Sequence, residues 1–465
     1  MKIDNALSNG IKILPDETID KIIDSVFKLL EETGIKFDKH VQAYDILSSA
    51  GCDISPDGIV KFPSELVKEC LAQTPESFKW WNRPGTDFVD YGSGKPCFIA
   101  DSRAPSYIDP FTGERKTADN KAPADIVKLV DSLPELDICG IPVSTNDFFE
   151  DNVTTVINTS KPVLLSVGEN VEVLKSTVEL GKAIRGGIDK LKEKPYFSII
   201  ISPEIMHYPL FVIEEIKLCT EYNIPIFMAE MAMGGLSSPA TLAGTLIVCL
   251  ASTFPGIVLS QLFKKGHPCI EASFPTIMDP VTAGVGGFPE NAMADSARSQ
   301  ICRKFGLLLS QQTALVTGTT DFDQNCIAQM SWNFGGLITS SFDSFWGAGT
   351  LDAGLVYSPH SLVFANELAS MARRVWRGIP VDDDSIALDL IKNVDPGMFI
   401  MEDHTVVHSR KDIWQGRYIK IKPNDVEKKD ISEKIHDDIV NILSSHKGEA
   451  LSDSILKDIK NIQKK

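Results

Sequence analysis

TALVTGTTDFDQNCIAQMSWNFGGLITSSFDSFWGAGTLDAGLVYSP, residues 313–359, holds the alternation that decides the fold. It opens on a short apolar run at 314–317, passes through a polar turn and enters a helix-length segment. A second apolar run then ends on Gly347-Ala348-Gly349. Strand, loop, helix and strand in that order make one unit of a parallel sheet. The same alternation repeats upstream. Apolar runs at 97–101, 138–144, 162–167, 196–202, 225–230, 269–274, 314–317 and 344–348 are separated by helical stretches such as 171–184, 209–221, 239–263 and 290–305. Eight such runs predict a (β/α)8 TIM barrel in the α/β class, with an open doubly wound sheet as the rival. The run 256–262 has strand composition, and assigning it to the preceding helix keeps the alternation regular.

Outward from the barrel the pattern turns helical. Residues 16–33 place Ile19, Ile22, Ile23, Val26, Leu29 and Leu30 on one face, with acids in the first turn and Gly34 at the end. With further helices at 40–49 and after Pro63, residues 1–95 are expected to form a helical amino-terminal region. The barrel is assigned to 96–356. Residues 357–465 form a helical extension packed on it, with helices at 362–378 and 385–394 and a closing pair in 424–465.

Composition excludes several functions. Lysine and arginine total 46 against 63 acids, a net charge of −17, which argues against nucleic acid or an anionic membrane and tolerates a cationic ligand. The opening MKIDNALSNG lacks a basic segment followed by an apolar run, and no stretch approaches the roughly 18 uninterrupted apolar residues of a membrane span. Nine cysteines, at 52, 70, 97, 139, 219, 249, 269, 302 and 326, form no CxxC pair, so reduced thiols in a cytoplasmic protein are expected. Barrels of this size commonly form homo-oligomers, which is the expectation here.

Several longer segments point to a family. LLEETGIKFD, AGCDISPDGIVKFPSELVKECLAQTPESF, IDPFTGERKTADNKAPADIVKLVDSLPELD, GGLSSPATLAGTL, QLFKKGHPCIEASFPTIMDPVTAGVGGFPE, GAGTLDAGLVYSP, ARRVWRGI and FIMEDHT together resemble the trimethylamine methyltransferase family across residues 15–420. The resemblance implies methyl transfer from an amine to the Co(I) of a corrinoid (cobalamin), carried by a cognate corrinoid protein. Members that act on trimethylamine carry a pyrrolysine in the loop after the seventh strand. This chain has none, and the equivalent position falls near Thr319 or Thr320. It thus resembles the non-pyrrolysine, glycine betaine methyltransferase-like branch. It departs from the family pattern at Ser252, commonly Glu, and at Glu271, commonly Gly.

Leaving-group chemistry then constrains the substrate. A tertiary amine needs activation before it leaves, whereas a quaternary ammonium departs as a neutral amine. Orientation and desolvation suffice for the second. Glycine betaine, giving dimethylglycine, is the simplest substrate, with proline betaine or carnitine as alternatives. A non-catalytic quaternary-amine binding protein is the alternative from another class. Aromatic faces favour such cations, and a substrate carboxylate wants amide, hydroxyl or Arg donors.

In a barrel these groups sit at the carboxy ends of the strands. That rule selects Tyr107, Asp147, Glu230, Trp346 and His360 as substrate-binding candidates, with Thr319 and Thr320 in the catalytic loop and Asp101, Asn146, Ser202 and Asp279 at other strand exits. Each has a plainer reading. Trp346 and Tyr107 serve a cation cage or core packing. Glu230, Asp147 and Asp279 bind ligand or hold loops by hydrogen bonds. His360 binds a carboxylate or caps the next helix, His404 makes a structural hydrogen bond, and Arg115 pins the first loop. The glycine-rich stretches 284–287 and 347–349 lack the spacing of a phosphate cradle. His267 and Cys269 supply an HxC pair, with Cys302 and Cys326 as possible third ligands, but the pair falls at the start of a strand, away from the catalytic face, which leaves that set unsupported. No zinc or other metal is expected.

Overall fold

The computed structural model describes residues 12–118, 122–286, 288–420 and 429–464. The opening MKIDNALSNG, Gly287 of the first glycine-rich stretch and the start of the closing segment, 424–428, lie outside the described residues. Eight strands form the central sheet: β1 (Cys97–Ala100), β2 (Ile138–Cys139), β3 (Val163–Ser166), β4 (Phe197–Ile201), β5 (Ile226–Met228), β6 (Cys269–Glu271), β7 (Ser310–Gln311) and β8 (Ser344–Trp346). They run in the order β6-β5-β4-β3-β2-β1-β8-β7, and every pairing is parallel. A parallel bridge between Glu271 and Leu309, with the Glu271 N–H donating to the Leu308 carbonyl at 2.9 Å, joins β6 to the start of β7. This is the expected TIM barrel, closed.

One strand lies elsewhere than the apolar pattern predicts. The seventh is Ser310–Gln311, and 314–317 forms turns beyond its carboxy end. Polar side chains are tolerated in β7 because each finds a buried partner. Ser344 donates to the Ser310 hydroxyl at 2.8 Å, and the Gln311 amide donates to Asp295 at 3.0 Å. In the apolar stretch after β7, Ala314 and Val316 line a pocket and Leu315 is buried in the core.

The amino-terminal region contains strands as well as helices. Ile35–Phe37 pairs in parallel with His207–Tyr208, from the loop after β4, and antiparallel with Ile59–Lys61. The hairpin Phe78–Trp81 and Phe88–Tyr91 closes the amino end of the barrel. There Trp80 donates to the Tyr196 carbonyl, and the Tyr91 hydroxyl lies 2.7 Å from that of Ser344. Trp80 and Tyr91 pack on Phe227, and this cluster continues along the barrel interior to Trp346.

The run 256–262 lies, as read, in the helix Leu242–Phe263. That helix is long and apolar enough to cross a membrane, but 72% of its apolar window is buried within the protein. On the carboxy side, Pro359–Trp376, Ile431–Ser445 and Asp453–Ile462 pack against barrel helices. The expected helix at 385–394 is broken at Ala387, where φ is 49°, into Asp383–Ile386 and Leu388–Asn393. From 379 to 413 no described residue is buried, and Ile379, Ile400 and Met401 are at least 75% exposed.

Candidate functional site

A pocket of about 270 Å³ opens at the carboxy ends of the strands, lined from β1, β5, β6, β7 and β8 and the loops after them. Trp346 ends β8 and is 9% exposed, and its indole lies against the Asp101 carboxyl at the exit of β1 and favours its charged form. Asp101 also accepts from the Ile141 N–H at 2.5 Å. Burial pushes the Asp101 carboxyl up to about 7, against the pull of the Ile141 N–H, Arg103 and Trp346. The carboxyl fits only because residue 140 is glycine, since any Cβ there would overlap it. Beside it, the buried Ser102 hydroxyl has no partner among the described residues.

Gly347, with φ 96°, turns the chain out of β8 where a Cβ would collide with Val316. The β7 loop can therefore lie against the β8 exit. Thr317 and Gly318 of that loop line the pocket. Behind this wall lies an ionic network with no exposed member. Arg298 pairs with Glu271, and with Asp295 at 3.1 Å, and donates to the Ser310 carbonyl at 2.9 Å. Asp295 in turn accepts from Gln311 and Thr313, both at 3.0 Å and both lining the pocket. Burial opposes the Arg298 charge, but Glu271 and Asp295 more than offset it and raise its pKa. For Asp295 burial wins and the pKa rises.

The sequence model of the family described as trimethylamine methyltransferase (MTTB) matches residues 2–462. The chain belongs to this family. The methyltransferase is 29% identical to the trimethylamine methyltransferase MttB of Desulfitobacterium hafniense (strain DSM 10664 / DCB-2), over 97% of this chain and 93% of that one. It is 25% identical to a glycine betaine methyltransferase of Desulfitobacterium hafniense (strain Y51), over 86% and 85%. Among solved structures, the Methanosarcina barkeri monomethylamine methyltransferase aligns with a TM-score of 0.52 at 14% identity, over 94% of this chain and 89% of that one. That likeness concerns the fold.

Of the residues singled out from the sequence, the methyltransferase brings Trp346 and Asp101 to the pocket. Thr319 lies just behind, its hydroxyl 3.1 Å from that of Thr317, while Thr320 is exposed and donates to Asp321. Glu230 is buried beside the pocket residue Met231 and bonds to Cys249. Burial pushes its carboxyl up to about 8, and its Oε2 has no partner among the described residues.

The expected cage of Trp346 with Tyr107 does not assemble. Tyr107 sits in Ser106–Ile108, which pairs with Val356–Tyr357 and Arg115–Thr117, and this small sheet carries it to a separate cavity shared with Lys116, Pro359 and Leu443. Asp147 is a helix cap, accepting from the Glu150 N–H at 3.0 Å, and it lies outside the pocket. His360 neither lines the pocket nor caps its helix, because Ser358 makes the cap. Its ring lies between Phe322 and His436, and burial, then His436, lowers its pKa to about 4.

Among the other strand-exit candidates, Asn146 shares the Asp147 cavity, Ser202 is exposed and Asp279 holds a surface turn. Arg115 does pin its loop, to Ser106 at 3.0 Å and Asp352 at 3.4 Å. His267 is buried at the entry to β6, its Nδ1 3.1 Å from the Ser260 hydroxyl and its pKa lowered to about 3 by burial. No third ligand gathers around it and Cys269 among the described residues.

Sequence reasoning missed Ser102 and Arg298. Ser102 has no signal beyond following Asp101. Arg298 lies in Phe288–Arg303, whose low overall hydrophobicity and inward-facing Asp295, Arg298 and Ser299 mark a helix that buries charge.

Proposed function

We propose that this methyltransferase moves a methyl group from a quaternary amine, glycine betaine first, to the Co(I) of a corrinoid on a cognate protein, releasing dimethylglycine. The observation that carries this reading is the pairing of Trp346 with the buried Asp101 carboxyl in a largely apolar pocket. A trimethylammonium group is stabilised by an aromatic face and by a carboxylate. The free Ser102 hydroxyl and the pocket amides Gln312 and Asn333 suit the betaine carboxylate, and none of the lining residues is cationic. The likeness to a glycine betaine methyltransferase supports the same substrate class, and a chain without pyrrolysine fits it.

The corrinoid is the methyl acceptor and supplies a strongly nucleophilic Co(I). As the new carbon–cobalt bond forms, the carbon–nitrogen bond breaks and its electron pair leaves with the neutral amine. The protein's share is to hold the cation against Trp346 and Asp101, aim one methyl group outward and exclude water. Met231, Trp332 and Leu355, each 48–55% exposed and at or beside pocket-lining residues, form an apolar rim suited to the face of the macrocycle. Zinc has no part in this scheme.

The test is formation of methylcob(III)alamin from cob(I)alamin, followed by absorbance, across glycine betaine, proline betaine, carnitine and trimethylamine. Turnover of glycine betaine with no turnover of trimethylamine is expected. Robust use of trimethylamine would refute the selectivity, and tight betaine binding without methyl transfer would favour a binding protein. Trp346→Leu keeps an apolar side chain and removes the π face, so the glycine betaine Kd should rise several-fold, in line with about 1 kcal/mol per contact. An unchanged Kd in a folded variant would remove Trp346 from the site.

We infer further that the protein is a cytoplasmic homo-oligomer. Its nine cysteines are buried and free, which suits a reducing compartment. Exposed apolar side chains between Ile379 and Ile413 suit permanent cover by a second copy. Light scattering of the wild type should give a multiple of the 51.0 kDa chain mass, and Ile379→Asp with Ile400→Asp should reduce it. A monomeric wild type at micromolar concentration would end this reading.

A further inference from the structure

The geometry points to a divalent transition-metal site at Asp384, His404 and His408, in the carboxy-terminal segment and separate from the barrel pocket. Zinc is the ion whose chemistry fits best. The inference is independent of the substrate reading above.

His404 and His408 are one turn apart on the helix Asp403–Lys411, so both rings leave the same face. The rings stack with centroids 4.1 Å apart, and potential ligand atoms of the two imidazoles and the Asp384 carboxylate all lie within 4.8 Å of one another. Asp384 comes from a different helix, Asp383–Ile386. His408 Nε2 lies 3.3 Å from its carboxylate, and His404 Nε2 lies 2.9 Å from its carbonyl. Small side-chain rotations would bring these atoms onto one tetrahedral centre, with water as the fourth ligand.

The surroundings match a metal's outer shell. His408 Nδ1 lies 2.5 Å from the Asp412 carboxylate. With an ion bound, that contact would hold the proton on Nδ1 and turn the Nε2 lone pair toward the ion beside Asp384, the carboxylate–histidine arrangement that orients ligands around zinc. Two imidazoles and a carboxylate make a donor set for zinc or its neighbours, whereas magnesium and calcium prefer oxygen alone.

The segment also has a physical need for a cross-link. From 379 to 413 it holds two short helices, a 3-10 turn and the helix Asp403–Lys411, and none of its described residues is buried. A stretch without a core of its own gains order from a bond across its length. A metal held by Asp384 and His404 would close a loop spanning 20 positions.

The test uses the full-length protein, dialysed against chelator and titrated with Zn2+ by calorimetry, with Co2+ as a spectroscopic probe. One site per chain of micromolar affinity or tighter is expected, with ligand-field bands for bound Co2+. His404→Ala and His408→Ala should each weaken it at least tenfold, and Asp384→Asn, which keeps the shape of the side chain, should weaken it measurably. Zn2+ should also slow proteolytic cleavage between residues 387 and 402 in the wild type and leave the rate in His408→Ala unchanged. Far-UV circular dichroism checks that the variants are folded. No binding by the wild type, or equal binding by wild type and a folded His404→Ala/His408→Ala double variant, would overturn the proposal.

Discussion

Arg298→Leu is expected to cost about 3–5 kcal/mol of stability, the usual loss when one partner of a buried ion pair is removed. Arg298 is fully buried and satisfies Glu271, Asp295 and the Ser310 carbonyl at once. Leucine fills part of the volume but leaves two carboxyl groups and a carbonyl uncompensated in the barrel wall. The loss should depend on pH. Burial already raises the Asp295 pKa, and without Arg298 it must rise further. Its ionised form then carries a penalty that grows with pH above the unfolded carboxyl value, about 3.9. The deficit should be smaller near pH 5 than near pH 8. Urea midpoints for both proteins at the two pH values measure it, and a loss below about 1 kcal/mol would mean that the network is not holding the wall. Because Asp295 also anchors Gln311 and Thr313, the surviving folded fraction should bind substrate more weakly.

Asp101→Asn should lower kcat/KM for a quaternary amine by about 10–100-fold, which corresponds to about 1.4–2.7 kcal/mol. Asparagine keeps one carbonyl acceptor for the Ile141 N–H, removes the charge and replaces the second oxygen with an NH2 group. In the wild type the carboxyl titrates at about 7, so as pH falls through that value it takes up a proton and its attraction for the cation is lost. Wild-type kcat/KM should therefore fall from about pH 8 to about pH 6, whereas the variant should be flat over this range. Stability runs the other way. With a folded pKa above its unfolded value, Asp101 contributes stability at low pH that is lost as pH rises through about 7. The variant should thus be no less stable than wild type above pH 7. A pH-dependent variant, or one that loses activity only because it unfolds, would contradict this role.

The barrel was legible because its strands are short apolar runs buried on both faces. β3, Val163–Ser166, and β4, Phe197–Ile201, stand out from their flanking helices on composition alone. β7 was not legible at Ser310–Gln311, because the partners that make its polar side chains tolerable, Asp295 and Ser344, lie elsewhere in the chain. The same distance effect governed the site. The rule that function gathers at strand exits found Trp346 and Asp101, which leave their strands directly into the pocket. It failed for Tyr107 and His360, where further chain after the exit turns aside into a small sheet or a helix. Pairings such as Asp384 with His404 depend on how loops fold back, and sequence spacing carries no record of that.

The hairpin at the amino end of the barrel bears on the order in which the molecule is made. Trp80 and Tyr91 sit beneath Phe227 and Leu308, so the inner core is completed by side chains that precede β1. During synthesis these rings leave the ribosome before any stave of the barrel exists, while the seam between β1 and β8 joins residues as far apart as Cys97 and Ser344. Such distant pairings close slowly. A hairpin already formed gives the emerging strands an apolar post to collect around, and it shields their inner faces during the wait for β8. Shortening the chain to begin at β1 should therefore lower both stability and refolding yield, with aggregation as the visible symptom.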